Sequence, residues 1–299
     1  MAHVIRTAAI AAVVLTAATT VRAQDAALVQ PYSAAECPSC AEWNAPHRPV
    51  HLFGNTYYVG THGLAAILVT SEAGHILIDG GLPNSAPSIL ANIRALGFSP
   101  SDVRYMLNSH AHYDHAGGFA ALQQVTGARV LASEPSVPVI RSGVPGPDDP
   151  QHAVALPMPP VRDVQSLAEG AVVRLGDLAL TMHRTPGHTP GGTSWTWRSC
   201  EAERCLDFVY ADSQTPISQE GFRFSDNRVY PNAVMDFRRG HALLERLTCD
   251  VLLTPHPGAS ALWERTATAP DGLIDTDACA RFAAAARRQL DSRLEREKR

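Results

Sequence analysis

This sequence predicts an α/β chain folded as a four-layer αββα sandwich, with two β-sheets face to face and helices outside. Three observations carry that expectation. Strand-like runs and helical segments alternate, and each half of the chain has strands and at least one helix. Apolar residues make up 45% of 299 positions, enough for a substantial core. No internal repeat and no interdomain linker divides the chain, so one domain holds both halves.

Residues 1–23 read as a secretory signal. Arg6 is the only charge before an apolar run over 8–18, and Val21-Arg22-Ala23 fits the small-x-small cleavage pattern, giving a mature start near Gln24. A membrane anchor is the competing reading, but the run is shorter than the ~20 residues needed to span a bilayer. Residues 24–47, polar and rich in Pro and Ala, read as an irregular arm. Strand-like runs follow at 52–59, 65–70 and 76–79, the last ending in Gly80-Gly81. Helical spacing over 88–96 puts Ile89, Ile93 and Leu96 on one face, with Gly97 as a stop. A short strand at 103–107, a helix at 119–125 and a strand at 129–132 complete the first half. The Pro- and Asp-rich stretch 143–163 reads as a long loop, and loops of that length in compact domains are often functional. Beyond it come a hairpin (172–175 with 178–183), strands at 193–197 and 208–211, a helix at 243–247, a strand at 251–254 and an amphipathic helix at 280–294.

Charge excludes several functions. Cleavage after residue 23 removes Arg6 and Arg22 and no acid, so 25 basic residues become 23 against 29 acidic ones, a net charge of −6. Such a chain has no general attraction for nucleic acid or anionic lipid. The basic residues after Ala280 alternate with acids, the pattern of a solvated helix face. Lys298 is the only lysine, which excludes a P-loop lysine, a Schiff-base lysine and a Ser-x-x-Lys pair. Six cysteines in an exported chain are expected in disulfides, and six allow 15 pairings. Cys200 and Cys205 flank a polar turn that suits a hairpin staple. A bridge between Cys249 and Cys279 would tie down the last helix. Cys37-Pro38-Ser39-Cys40 has redox or zinc spacing, but no second Cys-x-x-Cys or βαβ context accompanies it, which favours a structural bridge.

The chemistry concentrates in Asn108-Ser109-His110-Ala111-His112-Tyr113-Asp114-His115. His110 and His112 lie two apart, so both point one way from an extended segment; Asp114 and His115 follow as the chain turns. Four donors so close cannot close around one ion but can be divided between two. Catalytic zinc takes imidazole nitrogen and carboxylate oxygen, usually three protein ligands with an open position. His188 in Thr-Pro-Gly-His-Thr-Pro-Gly-Gly and His256 in Thr-Pro-His-Pro-Gly each follow a strand and are set by Pro and Gly. With the cluster they make six ligands, three for each of two Zn²⁺.

On these residues the chain resembles a metallo-β-lactamase-fold hydrolase, specifically subclass B3 of the metallo-β-lactamases. The resemblance runs from about Leu52 to Arg293, making residues 24–299 a single metallo-β-lactamase domain. It rests on Ile78-Asp79-Gly80, the histidine cluster, the Thr-Pro-Gly-His188 and Thr-Pro-His256 loops, Tyr210-Ala211-Asp212-Ser213 and the late Cys249 and Cys279. It implies that His110, His112 and His188 hold the first zinc and that Asp114, His115 and His256 hold the second. Ser213 stands where other subclasses place a ligand cysteine. It further implies a hydrolase acting on cyclic amides, opening penicillins, cephalosporins and carbapenems with a zinc-bound hydroxide oriented by Asp114, and conferring antibiotic resistance. Ser213 and Thr215 resemble positions that bind the substrate carboxylate, and Gln151 is placed to reach a substrate carbonyl. Under this resemblance Asp212 is a buried structural acid. Asp79 is either a carboxylate fixing a ligand imidazole or a strand-end turn residue.

Other features carry plainer expectations. His62, His75, His152, His183 and His241 belong to surface or packing, and Trp195 and Trp197 to the core. Ser225-Asp226-Asn227 copies a serine β-lactamase motif by chance. The expected protein is a periplasmic monomer with a small-molecule substrate and no nucleic-acid or membrane partner. The competing functions are a lactonase or thiolesterase on the same fold, and a non-enzymatic metal-binding protein.

Overall fold

The computed structural model describes residues 31–267 and 272–299, together with Met1. The expected signal segment thus lies outside the described residues, Met1 apart. Seven strands form the first sheet in chain order: β1 (Val50–Phe53), β2 (Thr56–Tyr58), β3 (Ile67–Ser71), β4 (Gly74–Ile78), β5 (Val103–Leu107), β6 (Arg129–Ser133) and β7 (Val164–Leu167). Pairing is antiparallel as far as β4 and parallel from β4 to β7. The second sheet holds β8 (Val172–Leu175), β9 (Leu178–Arg184), β10 (Thr193–Glu201), β11 (Arg204–Tyr210) and β12 (Val251–Leu253), in the order β12-β11-β10-β9-β8. Only its β11–β12 pair is parallel.

The helices are α1 (Cys40–Trp43), α2 (Ala86–Ala95), α3 (Phe119–Thr126), α4 (Ser136–Ser142), α5 (Ala233–Leu244), α6 (Leu262–Thr266) and α7 (Ala278–Glu297). Strand periodicity assigns the layers. Side chains alternate faces along a strand, so Ile76 and Ile78 enter the space between the sheets while Leu77 points outward. The inner layer joins Ile67, Ile76, Ile78 and Leu107 to Leu180, Trp195, Phe208 and Leu253 of the second sheet. Outside the first sheet, Leu68, Leu77, Met106 and Val130 pack under Ile89, Ile93, Phe119, Leu122 and Ile140 of α2, α3 and α4. Outside the second, Val209 and Leu252 meet Leu244 of α5 and Ala283 of α7. This is the expected four-layer αββα sandwich. Its central strands read as continuous apolar runs because both faces are buried.

Several boundaries differ from expectation. The run at 52–59 is a hairpin, β1 and β2, turning at Gly54 with φ +53; a Cβ there would sit 2.6 Å from the Cys200 carbonyl oxygen. Helix α4 was not expected because Pro138 interrupts its pattern; Pro138 falls in the first turn, where backbone N–H groups have no helical partner anyway. Strand β7 buries only Val164, leaving almost no alternation to read. Helix α5 starts ten residues before the expected 243, because its buried face is Ala233, Phe237, Gly240, His241 and Leu244, mostly small or polar. The short α6 also escaped the pattern. All three disulfides form as expected: Cys37–Cys40, Cys200–Cys205 and Cys249–Cys279. No described helix is long and apolar enough to cross a membrane.

Candidate metal centre

Strand ends deliver every donor to one rim of the sandwich. The cluster from Asn108 follows β5, His188 lies in the turn between β9 and β10, Ser213 and Thr215 follow β11, and His256 follows β12. Gly187 makes the turn before His188 possible. Its φ of +138 is a glycine conformation, and a Cβ would meet the Phe237 ring at 2.5 Å. His110, His112, Asp114, His115 and His188 are buried, while His256 keeps about a third of its side chain exposed.

The donors fall into two overlapping sets. Donor atoms of His110, His112 and His188 lie within 4.8 Å of one another, and so do those of His110, Asp114 and His115. His256 joins the second set through Asp114, whose Oδ2 lies 3.3 Å from His256 Nε2 and 3.2 Å from His115 Nε2. Four of the five rings are oriented by an acceptor behind them. His110 Nδ1 meets Asp212 Oδ1 at 2.7 Å, and His112 Nε2 meets Asp149 Oδ2 at 2.9 Å. His188 Nδ1 donates to the Thr215 carbonyl (2.9 Å) and His256 Nδ1 to the Gly63 carbonyl (3.2 Å). His115 Nδ1 faces Asp79 Oδ2 at 4.0 Å. Carbonyls and carboxylates only accept, so each bonded nitrogen carries the proton and its opposite nitrogen keeps a free lone pair.

Electrostatics favour the protonation state that a cation needs at His110, His188 and Asp114. At His112 and His256 burial pushes the ring down, but Asp149 and Asp114 respectively outweigh it and raise both above the usual histidine range. Burial, reinforced by the neighbouring imidazoles of His115, His112 and His188, holds His110 well below the usual histidine range. Burial, then His112, brings His188 down to about 4. Burial alone would raise Asp114, but His115 and His256 outweigh it and hold the carboxyl well below its ordinary value. Neutral His110 and His188 beside ionised Asp114 are metal-ready ligands. His110 Nε2 is fully buried without a hydrogen-bond partner, an expensive state for a nitrogen unless a cation takes the lone pair. Five imidazoles and one carboxylate, with every cysteine committed to a disulfide, fit zinc or a similar divalent metal.

A cavity of about 160 Å³ opens over these donors, walled by Trp43, Tyr113, Gln151, Ser213, Thr215 and Ile217. A larger groove of about 660 Å³ lies beyond the 215–218 segment against α7, but no metal donor lines it. The structure thus brings all six expected ligands together and puts Ser213, Thr215 and Gln151 around them; Gln151 Nε2 is 3.3 Å from His188 Nε2. Asp79 is the strand-end turn residue of the two alternatives, and its carboxylate faces a ligand imidazole, that of His115, without bonding it. Its φ is +60 at the end of β4, and its carboxylate accepts from Ser109 N, Ser109 Oγ and Tyr210 Oη at 2.6–2.8 Å while facing His115. Asp212 is buried as expected, and it also anchors His110. Sequence reasoning missed Trp43, Tyr113 and Asp149. Tyr113 sits inside the cluster and was legible by position; Trp43 and Asp149 lie far off in sequence and carry no local signal.

The family model described as the metallo-beta-lactamase superfamily matches residues 59–271. Among solved structures, the chain is similar to the Rm3 metallo-beta-lactamase: 52% identity, TM-score 0.86, covering 88% of this chain and 99% of that one. It is also similar to MEM-A1, a subclass B3 metallo-beta-lactamase from a soil metagenome library, with 47% identity, TM-score 0.84 and coverage of 86% and 98%. A hydroxyacylglutathione hydrolase of Anaeromyxobacter dehalogenans is 36% identical over 121 residues, 40% of this chain and 37% of that protein. The chain thus spans well under half the length of that curated relative.

Proposed function

This chain belongs to the metallo-β-lactamase superfamily, and from that membership and its site we propose that it hydrolyses the amide bond of β-lactams with two zinc ions. The observation that carries the reading is the pair of donor sets meeting at His110, with His256 joined to the second through Asp114, beside a cavity of about 160 Å³ that Ser213, Thr215 and Gln151 line. His110, His112 and His188 would hold one ion; Asp114, His115 and His256 the other. Bound zinc would supply a water whose pKa falls to roughly 7 and a Lewis acid for the carbonyl.

The chain's own residues do the rest. Ionised Asp114 is acceptor-only, so it orients an attacking water by taking its hydrogen bond. Ser213 and Thr215 offer hydroxyls to the substrate carboxylate on one wall, and Gln151 offers an amide N–H to a carbonyl on the other. Trp43 and Tyr113 present apolar ring surface that excludes water from the reacting bond. Three disulfides fit an oxidising compartment, which supports export to the periplasm. We also take the protein to act as a monomer, without nucleic-acid or membrane partners.

The test is carbapenem turnover with and without a strong chelator. We expect activity to be lost on chelation and restored by zinc, with two equivalents bound. Turnover that survives complete metal removal would overturn the reading. The partial likeness to a hydroxyacylglutathione hydrolase gives a thiolesterase or lactonase as the second reading. Faster turnover of an acyl lactone or a glutathione thioester than of a carbapenem would favour it.

A further inference from the structure

The long loop between α4 and β7 reaches the centre at one point that the reaction above does not use. Asp149 is 5% exposed, and both its carboxylate oxygens are committed. Oδ2 accepts from His112 Nε2 at 2.9 Å, and Oδ1 accepts from the backbone N–H of Gln151 at 2.7 Å. Its own backbone closes the neighbouring turns: Asp149 N donates to the Gly146 carbonyl and His152 N to that of Asp149, each at 3.0 Å. The Gln151 carbonyl in turn accepts from Val154 and Ala155 N at 2.9 and 2.8 Å, and Ala155 lines the cavity.

His112 differs from its neighbours. His110, His188 and His256 are each anchored through Nδ1, leaving Nε2 toward the centre. His112 is anchored through Nε2, leaving Nδ1. The His110 and His112 rings are 4.8 Å apart and nearly perpendicular, and with opposite nitrogens anchored they offer opposite nitrogens to the centre. A ring free to flip or to move its proton to Nδ1 would withdraw that donor. The anchors of His256, His110 and His188 lie at 63, 212 and 215; only that of His112 belongs to the loop carrying Gln151.

We propose that Asp149 is a positioning residue that couples the substrate-facing loop to the first metal site, one carboxylate oxygen fixing the tautomer of His112 and the other the turn that presents Gln151. The proposal rests on the ligand set given above. Displacing the loop pulls on His112, and loss of the metal frees the loop. Removing a carboxylate behind a ligand histidine typically weakens metal binding 10–100-fold. Asparagine cannot satisfy both attachments: with its single oxygen on Gln151 N–H, its amide donates toward His112 Nε2 and drives the ring proton to Nδ1.

The first readout needs no variant. In the zinc-loaded protein, a long-range ¹H–¹⁵N imidazole spectrum is expected to show the proton on Nε2 of His112 and on Nδ1 of His110, His188 and His256. A His112 proton on Nδ1 overturns the proposal. Chelator competition then reads zinc affinity. Asp149→Ala and Asp149→Asn are expected to lose 10–100-fold at one site, and Asp149→Ala also to raise KM as Gln151→Ala does. Gln151→Ala is expected to raise KM while its zinc affinity stays within twofold. Wild-type zinc affinity in Asp149→Ala, or an unchanged KM, overturns the coupling. Wild-type affinity in His112→Ala would instead strike the ligand assignment itself.

Discussion

A single backbone position, Gly187, sets the geometry of His188. Its φ of +138 lies outside what a side chain tolerates, and the Phe237 ring fills the space a Cβ would need, at 2.5–2.8 Å. Gly187→Ala therefore combines backbone strain with overpacking, each of order 1–3 kcal/mol. We expect a loss of about 3 kcal/mol in the urea unfolding midpoint analysis, with weaker zinc binding because His188 shifts. Adding Phe237→Leu is expected to recover the packing part and leave the backbone part; full recovery would show that φ carries no strain here. The residue scale also shows where function was legible. His110 to His115 announce themselves by density of donors, and His188 and His256 by their Pro-Gly frames. Asp149 announces nothing: its carboxylate finds His112 only because the loop folds back across 37 residues.

At the scale of elements, strands were the most legible because both of their faces are buried. Strand β5 spans the expected 103–107, and β4 ends one residue before the expected 79, where Asp79 turns out of the sheet. Helix α5 was the least legible, since its buried stripe contains Gly240 and His241 in place of large apolar residues. That choice has a pH consequence. Both His241 ring nitrogens are buried without a hydrogen bond, and burial, followed by Arg287, lowers the ring from 6.5 to about 4. Between those values the unfolded chain binds the proton and the folded chain does not, so stability falls as pH drops through the window. The contribution is whole above about pH 6.5 and is lost progressively down to about pH 4. His241→Leu removes the titrating group. Its melting temperature is expected to fall less than that of the wild type between pH 7 and pH 4.5, whatever the offset at neutral pH. Parallel curves for the two proteins would show that His241 stays uncharged in both states or is charged in both.

Across the whole molecule, the three disulfides have different physical roles although they share one chemistry. Cys249–Cys279 closes 30 residues and pins the start of α7 to the segment before β12, the outermost layer on the second sheet. Closing a loop of that length removes about 3–4 kcal/mol of chain entropy from the unfolded state. Cys200–Cys205 spans 5 residues across the β10–β11 hairpin, where the register already pairs the two cysteines, so the chain gains less. Cys37–Cys40 spans 3 residues and has the least entropy to remove, yet it is buried beside the centre. Cys37 Sγ lies 3.8 Å from Tyr113 Oη, and the helix α1 that begins at Cys40 lays Trp43 against the His256 ring at 5.0 Å. Its spacing admits a redox role, but burial of both sulfurs denies access to a thiol reductant, so the bridge acts by shaping the arm. Replacing both cysteines of each pair by serine should therefore separate stability from function. The Cys249/Cys279 variant is expected to lose about 3–4 kcal/mol in denaturant unfolding with KM nearly unchanged. The Cys37/Cys40 variant is expected to lose under half as much while raising KM several-fold, because Trp43 and Tyr113 no longer hold the cavity wall. Equal stability losses with no change in KM for either variant would mean that the arm does not shape the site, and would leave His256 positioned by its Gly63 hydrogen bond and its contact with Asp114.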